Sequence, residues 1–164
     1  HLKPEYLMSL THLDEHSRSR MVDVGEKVTT RRVAVAEGWV VFPPDVYAQI
    51  QAANGQTAKG TVSEVARLAG IMAAKNTSQL IPLCHPMMLE RCQLTLNYED
   101  DEHRLHIQAE VAVSHKTGVE MEALTAVSVA ALTVYDMTKA LSHDIRIEQI
   151  RLVHKSGGKH DFNR

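Results

Sequence analysis

Residues 104–115 read Arg-Leu-His-Ile-Gln-Ala-Glu-Val-Ala-Val-Ser-His, and the stretch from Gly118 to Leu141 that follows abandons that alternation for a helical apolar pattern. Leu105, Ile107, Ala109, Val111 and Val113 fall on one side of a strand, because successive side chains of a strand point to opposite faces. Upstream, Cys92, Leu94, Leu96 and Tyr98 share one side of an earlier strand, and the acidic run Glu99–Glu102 turns the chain between the two. Downstream, apolar residues occur nearly all round the helix, so it must be covered on more than one side. Ile145, Ile147, Ile150 and Leu152 form a last strand whose alternation slips at Glu148-Gln149, which predicts a bulge.

The N-terminal half completes the pattern. Val33, Val35, Trp39 and Val41 alternate with smaller or polar neighbours and predict a first strand across 31–42, ended by Pro43-Pro44-Asp45. A short helix then runs to Asn54-Gly55, a helix-terminating pair. Thr61-Val62-Ser63-Glu64 has the spacing of a capping box. It predicts a helix to about Asn76, with Val65, Leu68, Ala69 and Met72 as its apolar stripe. Pro82 and Pro86 bracket an irregular segment. The order is β-α-α-β-β-α-β. With the first two helices counted as one connection, the fold class is α+β: a ferredoxin-like β-α-β-β-α-β antiparallel sheet with an extra helix, helices packed on one face.

Length and charge bound the function. At 164 residues the chain is expected to hold one domain. Residues 21–164 form the expected single catalytic domain, and residues 1–20 are expected to be a flexible segment. Met8-Ser9 is a candidate natural start that would leave residues 1–7 as an addition. Eighteen basic against 20 acidic side chains argue against a broad nucleic-acid surface. The strand from Leu105 to Val113 carries no aromatic residue, so it lacks the base-stacking platform of an RNA-binding sheet. Two cysteines are too few for a disulfide framework and suggest a reducing compartment. No export segment is evident, and the uncharged run from Ala123 to Tyr135 is shorter than a spanning helix. A cytoplasmic protein without membrane or nucleic-acid partners is expected.

The histidines do not form a metal motif. His12 and His16 share a helical spacing in the terminal segment, His103 and His106 point to opposite faces of a strand, and no H-E-x-x-H or C-x-x-C occurs. No metal site is assigned. His85 differs, because two prolines fix the apolar loop that holds it: it either contacts a ligand or bonds to backbone. Cys84 alone reads as a small buried hydrophobe as readily as a nucleophile. Glu120 and Glu122 enter the long helix at its start, while Asp136 and Lys139 interrupt its uncharged end. These charges suit the helix dipole or a plain ion pair, but a carboxylate beside an ammonium is also an acid/base couple. Lys59-Gly60 and Lys155-Ser156-Gly157-Gly158-Lys159 add two lysine-bearing loops, the second suited to phosphate. The residues by themselves point to a small phosphorylated ligand handled by lysines, carboxylates and one histidine.

Several blocks together resemble a known family. Met21-Val22-Asp23-Val24, Ala69-Gly70-Ile71-Met72-Ala73-Ala74-Lys75, Leu83-Cys84-His85-Pro86 and the run Lys116 to Leu124 resemble the MoaC family of molybdenum-cofactor biosynthesis, the cyclic pyranopterin monophosphate synthases. Tyr135-Asp136-Met137, Lys139 and Lys155–Lys159 continue the match. The resemblance implies a lyase that acts on the cyclised 7,8-dihydro-GTP intermediate (3',8-cyclo-7,8-dihydro-GTP), yields cyclic pyranopterin monophosphate and releases pyrophosphate. It implies Lys59 and Lys139 as acid/base lysines with Asp136 as catalytic carboxylate. Leu83, Cys84, His85, Glu120, Met121 and Glu122 would line the substrate, and Lys75 and Lys155 would hold its phosphates or neighbouring oxygens. No cofactor is required in the family. Its homohexamers, trimers of dimers, place active sites between subunits. Two departures stand out: Thr61 where the family usually has an acid, and His160-Asp161-Phe162 directly after Lys159 where Ser-Gly usually follows. The competing classes are a non-catalytic ferredoxin-like sensor of a nucleotide or amino acid, and a metal-dependent hydrolase.

Overall fold

β5 (Arg104–His115) is an inner strand of the sheet in the computed structural model, which describes residues 13–164. It pairs antiparallel with β4 (Arg91–Glu99) on one side and with β1 (Thr30–Val41) on the other, the latter in an unbroken register from Thr30↔His115 to Val41↔Arg104. β6 (Arg146–Ser156) pairs with the far edge of β1, and the short β7 (Phe162–Asn163) covers β6. The resulting order β4-β5-β1-β6-β7 contains the four-strand ferredoxin-like arrangement. Between β1 and β4 the chain forms α1 (Pro44–Ala52), a small hairpin of β2 (Gln56–Thr57) and β3 (Gly60–Thr61), α2 (Val62–Lys75) and the four-residue α3 (Thr77–Leu80). α4 (Glu120–Thr138) joins β5 to β6 and lies across the sheet.

Alternation and burial agree along β5, where Leu105, Ile107, Ala109, Val111 and Val113 are all buried. The acidic turn closes as a 3₁₀ turn at Asp100–Glu102, with His103 left-handed at φ 51°. The predicted bulge is present: Gln149 has φ 54°, and the β1/β6 register shifts between Glu37 and Trp39. Residues His1–His12, which include the candidate start at Met8 and half of the His12/His16 pair, lie outside the described residues. Asp14 organises residues 14–18 into a turn, its carboxylate accepting from the His16 and Arg18 amides at 2.9 and 2.8 Å.

Three local expectations are corrected. The inward face of β1 is Ala34, Ala36 and Val40, not the valines at 33 and 35, because α4 approaches so closely that small residues must face it. A Cβ on Gly38 would stand 3.0 Å from Val127 Cγ1. For the same reason α2 buries Val62, Ala66, Gly70, Ala73 and Ala74, leaving Leu68 58% and Met72 55% exposed. The capping box does not form: Thr61 Oγ1 accepts from Gln56 Nε2 at 2.7 Å, and Glu64 pairs with Arg67. His106 is a singly bonded histidine on the opposite face of the sheet, its Nε2 donating to Glu37 Oε1 at 2.9 Å.

Gly70 is the tightest point of the α2/α4 contact. A Cβ there would meet the Leu94 side chain and stand 2.9 Å from the Ala126 carbonyl. Gly70→Ala is expected to destabilise the fold by about 1–3 kcal/mol through overpacking, although alanine is the better helix former; urea unfolding measures it. An unchanged midpoint would show that the two helices separate freely.

Candidate active site

The C-terminal turn of α4 carries the first group of candidate residues. Asp136 faces out of the last turn, and Lys139, three residues on, caps the helix and reaches back to Asp136 Oδ1 at 3.0 Å. Lys59 arrives from the β2/β3 turn. That turn is set by Thr57, whose hydroxyl accepts from the Lys59 amide at 3.1 Å and donates to the Gly60 carbonyl at 3.0 Å. Gly60 has φ 115°, a conformation that suits a residue without Cβ. Lys59 Nζ thereby donates to Asp136 Oδ2 at 2.8 Å. The two ammonium groups bonded to one carboxylate hold Asp136 down to about 2. The trio borders a cavity of about 500 Å³ whose walls are mostly apolar, among them Ile50, Val62 and Met137. A carboxylate held between two lysines can orient either one for proton transfer to a ligand in that cavity.

The second group gathers at the opposite end of α4. Glu120, Met121 and Glu122 form its first turn, and Leu83, Cys84 and His85 come from the loop after α3. All six line a cavity of about 310 Å³, with Val22, Val24 and Lys27 from the N-terminal segment across it. His85 makes the backbone bond: its Nε2 donates to the Val22 carbonyl at 2.7 Å and so fastens that segment over the cavity. Glu122 is 3% exposed, and its Oε2 has no hydrogen-bond partner among the described residues. Burial, reinforced by the charge of Glu120, pushes its carboxyl up to about 7 against a bond to its own amide. Burial and then Glu122 push the Cys84 thiol up as well, which disfavours a thiolate nucleophile. Lys75, at the end of α2, lies on a neighbouring cavity that shares Met87 with this one.

Glu122 makes stability fall as pH rises. Between its ordinary 4.5 and about 7 the native chain keeps a proton that the unfolded chain releases. Stability is therefore lost across that window, by on the order of 3 kcal/mol. Glu122→Gln is expected to melt higher than the unsubstituted chain at about pH 8 and alike at about pH 4. Parallel pH profiles of the two melting curves would contradict the assignment.

A third cavity, about 240 Å³ and polar, adjoins the second through Thr117, Gly118, Glu120 and Lys27. Lys155 and Lys159 line it, and Lys155 Nζ lies 3.4 Å from Glu120 Oε1. Lys27 and Arg32 also line it, and neither is singled out by sequence reasoning. Arg32 donates to the carbonyls of His115 and Lys116 at 3.4 and 3.2 Å. Its one sequence signal is a second arginine at the start of a strand, and only the β1/β6 register, which seats Ala34 opposite Lys155, turns that into proximity.

The predicted residues thus fall into two sets, not one. Lys59, Asp136 and Lys139 are together, and Leu83, Cys84, His85, Glu120, Met121, Glu122 and Lys155 are together with Lys75 nearby. Asp136 lies sixteen positions after Glu120 on the one helix, roughly 24 Å along the axis. Within one chain they do not share a ligand of nucleotide size.

Known proteins match across both sets. The MoaC family profile covers residues 21–158. The chain is 51% identical over 152 residues to the cyclic pyranopterin monophosphate synthase of Thermoanaerobacter pseudethanolicus, covering 93% of this chain and 95% of that one. It is 54% identical over 150 residues to the synthase of the same name from Heliobacterium modesticaldum, covering 92% and 93%.

Proposed function

The chain belongs to the MoaC family, and from that membership we propose that it is a lyase of molybdenum-cofactor biosynthesis. It converts the cyclised 7,8-dihydro-GTP intermediate to cyclic pyranopterin monophosphate with release of pyrophosphate. The observation that carries the mechanism is the carboxylate of Asp136 bonded to both Lys59 and Lys139. Opening and rebuilding a purine-derived ring needs several proton transfers, which these lysines supply while Asp136 orients them. Closing the cyclic phosphate then forms one P–O bond from the sugar-derived chain to the α-phosphorus. It breaks the bond to the departing pyrophosphate and leaves negative charge that lysines stabilise. Lys27, Arg32 and Lys155 bind the triphosphate in the polar cavity, while the Leu83–His85 loop and Glu120–Glu122 hold the ring system. No cofactor takes part in this reading.

The working enzyme in this proposal is a homo-oligomer, a hexamer in the manner the family resemblance implies, with each site shared between subunits. Support comes from the roughly 24 Å between the two residue sets and from Leu68, Met72 and Leu132, exposed apolar side chains on α2 and α4. We place the enzyme in the cytoplasm, in keeping with its two unpaired cysteines. Among the described residues no helix is long and apolar enough to cross a membrane.

The test supplies the cyclised intermediate with and without a chelator and follows pterin and pyrophosphate by mass spectrometry. Both products should form at the same rate in both arms. Binding without product would replace the lyase by a sensor, and loss of product with the chelator would replace it by a metal-dependent enzyme.

A further inference from the structure

Residues 157–161 form the loop of a hairpin, because β7 returns along β6 with Lys155 opposite Phe162. The loop base is fixed from three directions. Thr30 Oγ1 donates to the Gly157 carbonyl at 2.6 Å, and the Gly157 amide donates to Asp161 Oδ1 at 3.3 Å. Gly157, at φ 91°, lies so close to β1 that a Cβ would collide with the Arg31 carbonyl. A loop this short and this anchored presents its tip in one place. His160, at that tip, lines the polar cavity with Lys155, Arg32 and Lys27. Its exposed imidazole makes no hydrogen bond to another described residue, while the one carboxylate at its own end of the loop, Asp161, is taken by the Gly157 amide.

We propose that His160 is a specificity-determining side chain of this cavity, donating a ring N–H to the outer phosphates of the substrate and to the pyrophosphate that leaves. The inference rests on the reading of this cavity as the triphosphate site. Lys155, on the strand, and His160, on the returning loop, grip a chain of phosphates from two sides. A single phosphate held by Lys155 and Arg32 gains less from a second grip. His160 therefore selects for polyphosphate length, and an imidazole N–H to a phosphate oxygen is a charge-assisted bond of useful strength.

Calorimetric titration with inorganic orthophosphate, pyrophosphate and tripolyphosphate tests this on the full chain, on His160→Ala, on His160→Gln and on Lys155→Ala. His160→Ala should weaken pyrophosphate and tripolyphosphate by about threefold to tenfold. Orthophosphate should change less, and His160→Gln, which keeps a donor, should recover part of the loss. Lys155→Ala should weaken all three. If Lys155→Ala weakens them and His160→Ala does not, the role of His160 falls while the triphosphate site stands. If the unsubstituted chain binds no polyphosphate, or Lys155→Ala binds as well as it does, the triphosphate reading falls and His160 with it.

Discussion

Asp136→Asn is expected to lower turnover of the cyclised intermediate by about 10²- to 10⁴-fold, the span over which a positioned acid or base contributes. The expectation follows from geometry. One carboxylate anchors Lys59 Nζ at 2.8 Å and Lys139 Nζ at 3.0 Å, so an amide in its place removes the charge both ammonium groups share. The two lysines bond different oxygens of the carboxylate, so asparagine keeps the bond at its carbonyl oxygen while its NH₂ repels the other lysine's protons. The fold should be unaffected near neutral pH, since all three side chains are about half exposed and exposed ion pairs contribute little to stability. What Asp136 does contribute has a defined window: its carboxyl is lowered from 3.8 to about 2, so that contribution is full above the upper value and lost as pH falls through the lower. Lys139→Ala should cost as much as Asp136→Asn, and the double variant little more than either, because groups acting as one unit are not additive. Single-turnover kinetics with a melting curve for each variant decide the matter. Near-normal turnover in Asp136→Asn would remove the carboxylate from the mechanism.

The fold was legible where side-chain alternation decided which residues face the core, and illegible where backbone proximity did. β5 and the slip at Glu148-Gln149 depend on the two-residue period and were readable. The inward faces of β1 and α2 were not, because a hydrophobic reading favours Val33, Leu68 and Met72 over Ala34, Ala66 and Gly70. The small residues won because α2, α4 and β1 pack closely enough that Gly70 and Gly38 have no room for a Cβ. Thr61 and Glu64 have capping-box spacing, yet the adjoining hairpin offered Thr61 the Gln56 side chain instead. The candidate site divides along the same line. Asp136 and Lys139 were legible as charges isolated on an apolar helix. Lys59 is 77 residues from Asp136 in sequence, and only the residue-type match to a family joined them beforehand. Arg32 and Lys27 escaped notice because their chemistry arises from strand register and from the fastening of Val22 by His85, neither of which leaves a local pattern.

In the proposed oligomer, one active site needs the Lys59–Asp136–Lys139 set of one chain and the Glu122–Lys155 set of another. α4 is a continuous helix from Glu120 to Thr138, which holds Glu120 and Asp136 roughly 24 Å apart in any single copy. Closure of a loop does not bridge that, since Asp136 and the Glu120–Glu122 turn are fixed to opposite ends of one helix. Two variants that are each inactive, Lys139→Ala and Lys155→Ala, should then rescue one another. After unfolding and refolding together in equal amounts, a site is intact when its first half comes from the Lys155→Ala chain and its second from the Lys139→Ala chain. Random assembly makes about one quarter of the sites intact. The measurement is pterin formation from the cyclised intermediate by the co-refolded mixture, beside each variant refolded alone. Recovery to about a quarter of the unsubstituted rate, from near zero in the separate variants, is the predicted result; a mixture no more active than its inactive parents would contradict the shared site.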